Sequence, residues 1–322
     1  MMKKWMTCVL AILVMSVWFV SPGVQQAQAA FPDKPISFIV PFGAGGGTDG
    51  MARALASRLE KELGVPVAVK NERGSGGRKG TFSLFKSKPD GYTIGFAHFA
   101  TLLFDEAIRK KKNPIDYWKF AAILKVDHAL FFINVNKKSP FKSINDFKTA
   151  GRPIKFGATG VGSPSWLFPK ALGKEVGFPV SFVSGQKNLA AAALSVARGD
   201  VDASTGTFTH IRGVMEDLRP LVYIAEKRSH KLPDVPTIKE AGYDKLASLD
   251  VPWVVVAPPG TPEDRLEIIR AALRKVSTRK EYLDWAIDTG YSPVTVEPAD
   301  FWKSFRARKA LYESLNIKLK KK

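Results

Sequence analysis

Ile36-Ser37-Phe38-Ile39-Val40, followed by Pro41-Phe42-Gly43-Ala44-Gly45-Gly46-Gly47-Thr48-Asp49-Gly50, is the stretch on which the reading of this chain turns. The apolar run Ile36 to Val40 has the length of a buried strand. After the loop, Met51, Leu55, Leu59 and Leu63 recur every four residues, as on one face of a helix. A strand, a glycine loop and a helix start therefore stand in succession. Glycines let the backbone turn through positive φ and leave no Cβ in the way, so several N–H groups converge at the positive end of a helix dipole. That is a cradle for an anion, or else a turn that packs a helix tightly on its sheet. The loop by itself leaves both open.

Toward the N-terminus, Lys3 and Lys4 supply a positive start, Met6 to Val20 an apolar core without charge, and Ala27-Gln28-Ala29 a small-x-small cleavage signal. Residues 1–29 therefore read as a signal peptide cleaved near Ala29, and the mature chain as exported to the periplasm. An uncleaved anchor is the competing reading, but the apolar run falls short of the about 20 residues of a comfortable span. Cys8 has no lipobox-like context and leaves with the leader, so the mature chain has no cysteine and no disulfide. The remaining 293 residues suffice for two ordinary domains that stand without such staples.

The whole chain carries 49 Lys and Arg against 30 Asp and Glu; only Lys3 and Lys4 go with the leader, which leaves a net charge of +17. Such a field favours anionic partners and speeds their arrival. The densest basic runs, Arg109 to Lys112 and Lys318-Leu319-Lys320-Lys321-Lys322, read as solvated surface. Nucleic acid is not expected as a partner, because no aromatic and basic residues interleave as a stacking platform would require.

Toward the C-terminus, Gly64 stops the helix and Val65 to Val69 reads as the next strand, completing a parallel β-loop-α-β unit. Asn71 to Gly80 is a second glycine-rich loop, with the cations Arg73, Arg78 and Lys79, and is no Walker loop because no Gly-Lys-Ser/Thr follows at the required spacing. Gly91 to Ala97 is a strand that delivers His98 to its carboxyl end, where ligands sit in open α/β sheets. His98 is thus either a pocket wall or a hydrogen-bonded structural histidine. Ala121 to Val126 and Ala129 to Val135, separated by Asp127-His128, carry the chain into a second domain. There the opening arrangement returns: strand Ile154 to Ala158, then Thr159-Gly160-Val161-Gly162-Ser163-Pro164-Ser165, then a helix capped by Ser165 or Phe168 around Pro169. Two anion cradles, one per half, suggest a cleft closed from both sides. Leu221 to Ala225 leads back, Val251 to Ala257 is a long apolar strand, and Thr261-Pro262-Glu263-Asp264 opens a helix with a capping hydroxyl. The segment Ala299 to Leu315 is amphipathic and is expected to pack on the first domain.

Read together, Phe31-Pro32-Asp33-Lys34-Pro35-Ile36, Val40 to Asp49, Asn71 to Gly77, Pro89-Asp90-Gly91-Tyr92-Thr93, Gly199-Asp200-Val201-Asp202, Leu232 to Thr237 and Ala257 to Pro262 resemble, in order, the substrate-binding proteins of tripartite tricarboxylate transporters, the Bug or TctC-like receptors. The resemblance implies an α/β, two-lobe periplasmic-binding-protein fold of the Venus-flytrap, type II-like kind with crossing hinge strands. Lobe 1 would comprise 30–125 and 223–322, and lobe 2 would comprise 126–222. It further implies capture of a small organic carboxylate, delivery to the membrane permease of such a transporter, no cofactor, and a monomer. Carried over residue by residue, the ligand contacts would be Phe42, Ala44, Gly45, Gly46, Thr48 and Asp49 on the first lobe, with Gly160, Gly162, Ser163 and Ser165 on the second.

Three departures bear on the ligand. Trp166 stands where relatives carry a histidine, and either stacks on a ring-bearing ligand or fills the cleft base. Ala203 to Phe208 lacks the acidic residue usual after Val201-Asp202, so an ammonium on the ligand would lose its partner. His98-Phe99-Ala100-Thr101 replaces a Gly-Thr run. Enzymatic readings fare worse. Gly43-x-Gly45-x-x-Thr48 misses the last glycine of the dinucleotide fingerprint, and no nucleophile elbow surrounds Ser163 or Ser165. The histidines at 98, 128, 210 and 230 stand singly, so no catalytic residue and no metal site is expected. A receptor for a membrane sensor, using the same closure, remains the alternative within the binding class.

Overall fold

The apolar run and the glycine loop fold as their residues dictate. Ile36–Val40 is β1, and α1 (Gly47–Leu63) buries Met51, Leu55 and Leu59 completely. Each such side chain contributes about 1.5–3 kcal/mol on burial. Gly64 ends α1 at φ 70°, with its N–H on Glu60 O. β2 (Val67–Asn71) pairs parallel to β1, from Ile36 opposite Val67 to Val40 opposite Asn71. It begins later than the apolar run at Val65 because Pro66 has no N–H. The Pro66 carbonyl accepts from Ile36, and the ladder proper starts at Val67. A short turn at Ser75–Gly77 and α2 (Arg78–Lys86) lead to β3 (Thr93–Phe96), parallel to β1 on its other side.

The structure is a computed structural model that describes residues 31–108, 115–247, 249 and 251–317. The expected leader at 1–29 and the basic runs Arg109 to Lys112 and Lys318 to Lys322 lie outside the described residues. From Lys34 onward the described chain forms one compact unit.

After α3 (Phe99–Ala107), β4 (Ala121–Ala129) stays in the first sheet through Asp127 and His128, past the expected crossing at 125. Asp127 is tolerated there because its carboxylate accepts the Ser292 N–H at 2.9 Å. The chain crosses at Leu130 and Phe131 to β5 (Phe132–Asn136) in the second sheet. There follow β6 (Ile154–Ala158), α4 (Pro164–Val176), β7 (Val180–Ser184), α5 (Leu189–Ala197), β8 (Ala203–Gly206), α6 (Phe208–Ile211) and β9 (Leu218–Tyr223). The return passes α7 (Asp244–Ala247) to β10 (Val251–Ala257), then α8 (Glu263–Thr278), α9 (Lys280–Thr289), β11 (Pro293–Val296) and α10 (Pro298–Ser314).

The first sheet runs β11-β4-β10-β3-β1-β2 and the second β7-β6-β8-β5-β9. In both, a central strand that ends in a glycine loop has parallel neighbours, β2 and β3 about β1, β7 and β8 about β6. In both, an antiparallel strand comes next, β10 or β5. α10 lies on α3, where Phe301 and Phe305 pack on Phe99 with ring centroids 5.6 and 5.2 Å apart.

Two helix starts differ from expectation. α4 is capped by Ser163, with Pro164 in its first turn, so Pro169 lies inside the helix and the Ser165 carbonyl receives no N–H from it. α8 starts at Glu263 after Pro262. The Thr261 hydroxyl instead donates to Pro258 O at 2.8 Å and closes the preceding turn.

Candidate functional site

The carboxyl ends of β1, β3 and β6 face one cavity between the two sheets, partly open to solvent. Lobe 1 supplies Phe42, Thr48, His98 and the β10 segment Val251 to Trp253. Lobe 2 supplies Phe131, Thr159, Pro164, Leu189 and His210. Thr48 lies in the first turn of α1, His98 is the N-cap of α3, Pro164 begins α4 and Leu189 begins α5. Four helices thus turn their positive ends toward one space, and first-turn N–H groups have no partner within their own helix. No Lys, Arg, Asp or Glu side chain lines the cavity among the described residues. An anion here is met by dipoles and hydrogen-bond donors within largely apolar walls, with no ion pair at hand. A neighbouring hollow shares Phe42 and Thr159 and carries Arg73 and Lys187, so cations stand beside the site but outside it.

Of the residues picked from sequence, Phe42, Thr48 and His98 line this cavity. The others shape it. Asp49 is 4% exposed; its Oδ2 accepts from Gly45 N–H at 2.9 Å and Arg53 Nε at 3.0 Å, and its Oδ1 from Asn71 Nδ2 at 2.9 Å. Burial raises its pKa, but the bonds from Arg53, Gly45 and Asn71 outweigh that and hold the carboxyl below its usual range. Asp49 thus fastens the loop from within, and Gly45 spends its N–H on that carboxylate. Ala44 offers its carbonyl to Asn188 Nδ2 at 3.4 Å, and Gly46 caps α1 opposite the Asn188 side chain.

On the second loop the Ser163 hydroxyl donates to Gly160 O at 2.7 Å, and Ser165 Oγ accepts the Thr159 N–H at 3.0 Å. Both serines are fully buried, so their hydroxyls brace the loop. Gly162 has φ 85°, and a Cβ there would stand 2.5 Å from the Phe104 ring. Trp166, for which stacking on a ligand and filling the cleft base are both open, packs against two aromatic rings. It stacks on Phe182 with centroids 5.3 Å apart and meets the edge of Phe104 from lobe 1, away from the cavity wall. Asp202 is likewise structural, paired with Arg152 at 2.6 and 2.8 Å and accepting Lys155 N–H at 2.8 Å.

His98 and His210, which sequence spacing leaves as isolated histidines, meet at the same cavity from opposite lobes. Phe131, Leu189 and Trp253 also escape a motif-based reading; their only sequence signal is that Phe131 and Trp253 fall within predicted strands and Leu189 just before a predicted helix. Burial, and then the nearby Arg78 charge, push His98 down to about 3 against a smaller upward pull from Gly76. Burial alone takes His210 to about 4. Both are neutral at pH 7. In the unfolded chain imidazole titrates at about 6.5, so below that pH the unfolded state binds more protons than the folded one. Their contribution is complete above pH 6.5 and is lost as pH falls toward 4. Replacing His210 with Asn, which retains an acceptor for the Thr207 N–H, is expected to relieve up to about 2 kcal/mol of the stability lost between pH 7 and pH 5. Urea unfolding of parent and variant at both pH values measures this; equal pH dependence would refute it.

Comparison with known proteins bears on the family and the fold. The family model described as Tripartite tricarboxylate transporter family receptor matches residues 51–312. Protein BugT of Bordetella pertussis is 28% identical over 308 residues, covering 91% of each chain. A solved structure described as a periplasmic transporter superposes with a TM-score of 0.83 at 28% identity, covering 90% of this chain and 100% of that one. MatC from Rhodopseudomonas palustris, with bound malate, gives 0.78 at 21% identity over 89% of this chain and 100% of its own, a likeness of fold.

Proposed function

Because this chain belongs to the tripartite tricarboxylate transporter receptor family and has its periplasmic binding-protein fold, we propose that it is an exported solute-binding protein that captures a small organic carboxylate between its lobes and delivers it to a tripartite permease. The observation that carries the reading is the convergence of four helix N-termini, two from each lobe, on a cavity without charged walls. A carboxylate held by donors from both lobes binds the closed form better than the open one and shifts the population toward it. Malate bound to MatC, a protein of the same fold, supports the ligand class. The basic surface, with Arg73 and Lys187 beside the site, favours arrival of an anion.

Calorimetric titration of residues 30–322 with aliphatic and aromatic carboxylates tests this. One acid or more is expected to bind one to one, with a dissociation constant near or below about 1 μM, equivalent to about −8.2 kcal/mol, and to be recovered unchanged. No response to any carboxylate, or steady consumption of one, would overturn the proposal.

A further inference from the structure

The hydrogen bonds around the two cavity histidines favour opposite tautomers. Thr101 Oγ1 donates its single proton to Gly76 O at 2.8 Å, so the 2.6 Å contact between Thr101 Oγ1 and His98 Nδ1 is donated by the ring. Neutral His98 then presents Nε2 as a bare acceptor. At His210 the roles reverse. The Thr207 N–H reaches His210 Nδ1 at 3.2 Å and can only donate; Nδ1 then also accepts at 2.7 Å from the Thr207 hydroxyl, and the proton of neutral His210 resides on Nε2. Each histidine is 7% exposed, and neither Nε2 has a hydrogen-bond partner among the described residues. Both residues line the cavity.

The donor stands beside the N-terminus of α1: a Cβ on Gly47 would lie 2.9 Å from His210 Nε2. At the acceptor the Phe42 ring meets the His98 ring edge-on at 4.8 Å, and Phe96 lines the same cavity. Resting on the carboxylate-receptor reading above, we propose that the ligand is a monocarboxylate with an apolar body and one neutral hydrogen-bond donor, its carboxylate at His210 Nε2–H and the α1 N-terminus and its hydroxyl or N–H on His98 Nε2. A second ionised carboxylate would turn lone pairs toward the His98 lone pair. The Arg78 charge beside that ring opposes the protonation that could relieve the conflict.

A neutral donor removed from such a site leaves a buried acceptor unpaired, a loss of about fivefold to 150-fold in affinity. The test is calorimetry of the mature protein with acids in matched pairs: benzoate with its three hydroxybenzoates, phenylacetate with mandelate, isovalerate with its 2- and 3-hydroxy forms, and terephthalate as the dicarboxylate. At least one hydroxylated member is expected to bind tenfold or more tighter than its partner, and terephthalate weaker than both. His98→Leu should bring that pair within threefold, and His98→Gln, which places an amide oxygen near the Nε2 position, should restore most of the preference. Melting curves of both variants confirm folding, and the wild-type pairs stand as a test without them. Equal affinities within every pair, a preference that survives His98→Leu, or terephthalate as the strongest ligand would overturn this inference and leave carboxylate binding intact. Failure of every acid to bind would instead remove the reading on which it rests.

Discussion

Gly47→Val is expected to weaken the best carboxylate at least 100-fold while leaving the ligand-free protein folded. Gly47 is the first residue of α1 in lobe 1, and a Cβ there would stand 2.6 Å from Thr209 Oγ1 and 2.9 Å from His210 Nε2 in lobe 2. Neither neighbour is free to retreat. The Thr209 hydroxyl lies 2.7 Å from Thr207 Oγ1, and Thr207 also holds the His210 ring. The clash exists only where the lobes meet, so opening the cleft relieves it and the cost falls on the closed state alone. Overpacking of this kind costs about 1–3 kcal/mol and occasionally more, and two methyl groups beyond the Cβ put this site at the upper end; 100-fold corresponds to about 2.7 kcal/mol. Calorimetry should show the loss, and small-angle scattering should show that ligand no longer compacts the variant. Gly46→Ala is the control, since its Cβ would meet Asn188 Cβ at 3.4 Å from an extended backbone with φ −90°. Unchanged affinity in Gly47→Val would mean that the lobes do not close through this contact.

That Gly47 outranks its glycine neighbours could not be read from the loop. Sequence shows that Gly43 to Gly47 is a turn before a helix, because the apolar spacing on either side is local. It does not show which glycine faces the other lobe, because that depends on the crossing at Leu130 and Phe131, far along the chain. The same division runs through the site. Phe42, Thr48 and His98 were legible because each ends a strand or starts a helix within one β-loop-α unit. His210 was not, because it joins the cavity only when α6 of lobe 2 meets α1 of lobe 1. Asp49, Ser163 and Ser165 are legible as important, and the structure gives each a hydrogen-bond partner within its own loop. A carboxylate or hydroxyl that braces a cradle and one that touches its cargo share the same sequence position, and only hydrogen-bond direction separates them.

The arrangement of strands was legible to the same degree and for the same reason. Val251 to Ala257 reads as a buried strand from seven apolar residues, and it is buried throughout. Ala121 to Val126 reads as a run that stops at Asp127 and His128, whereas β4 continues through both to Ala129, and the compensating Ser292 N–H comes from 165 residues away. Local pattern fixes local structure; a polar residue inside a strand is explained only by the partner that tertiary folding brings.

Arg78 is the residue whose loss should cost the fold most among the polar groups around the cleft. Its Nε and Nη2 meet the Asp105 carboxylate at 2.6 and 2.7 Å, with the side chains 14% and 8% exposed. Its Nη1 donates to Ser75 O at 2.8 Å and to Val161 O of the second lobe at 3.2 Å. One guanidinium therefore fixes the start of α2 to α3, closes the Gly74 to Gly77 turn and reaches across the cleft. Arg78→Ala strips the Asp105 carboxylate of this bidentate partner, and breaking a buried pair of this kind costs up to about 3–5 kcal/mol. Urea unfolding at pH 7 should show that loss. Removing both charges should cost much less, since an apolar pair of similar volume leaves nothing to solvate; Arg78→Met with Asp105→Leu is expected to recover more than half of it. The double variant still lacks the bond to Val161 O, so its stability should return further than its affinity for the carboxylate. If the double variant is no more stable than Arg78→Ala, the pair is not what Arg78 contributes, and its bonds to Ser75 and Val161 carry the effect.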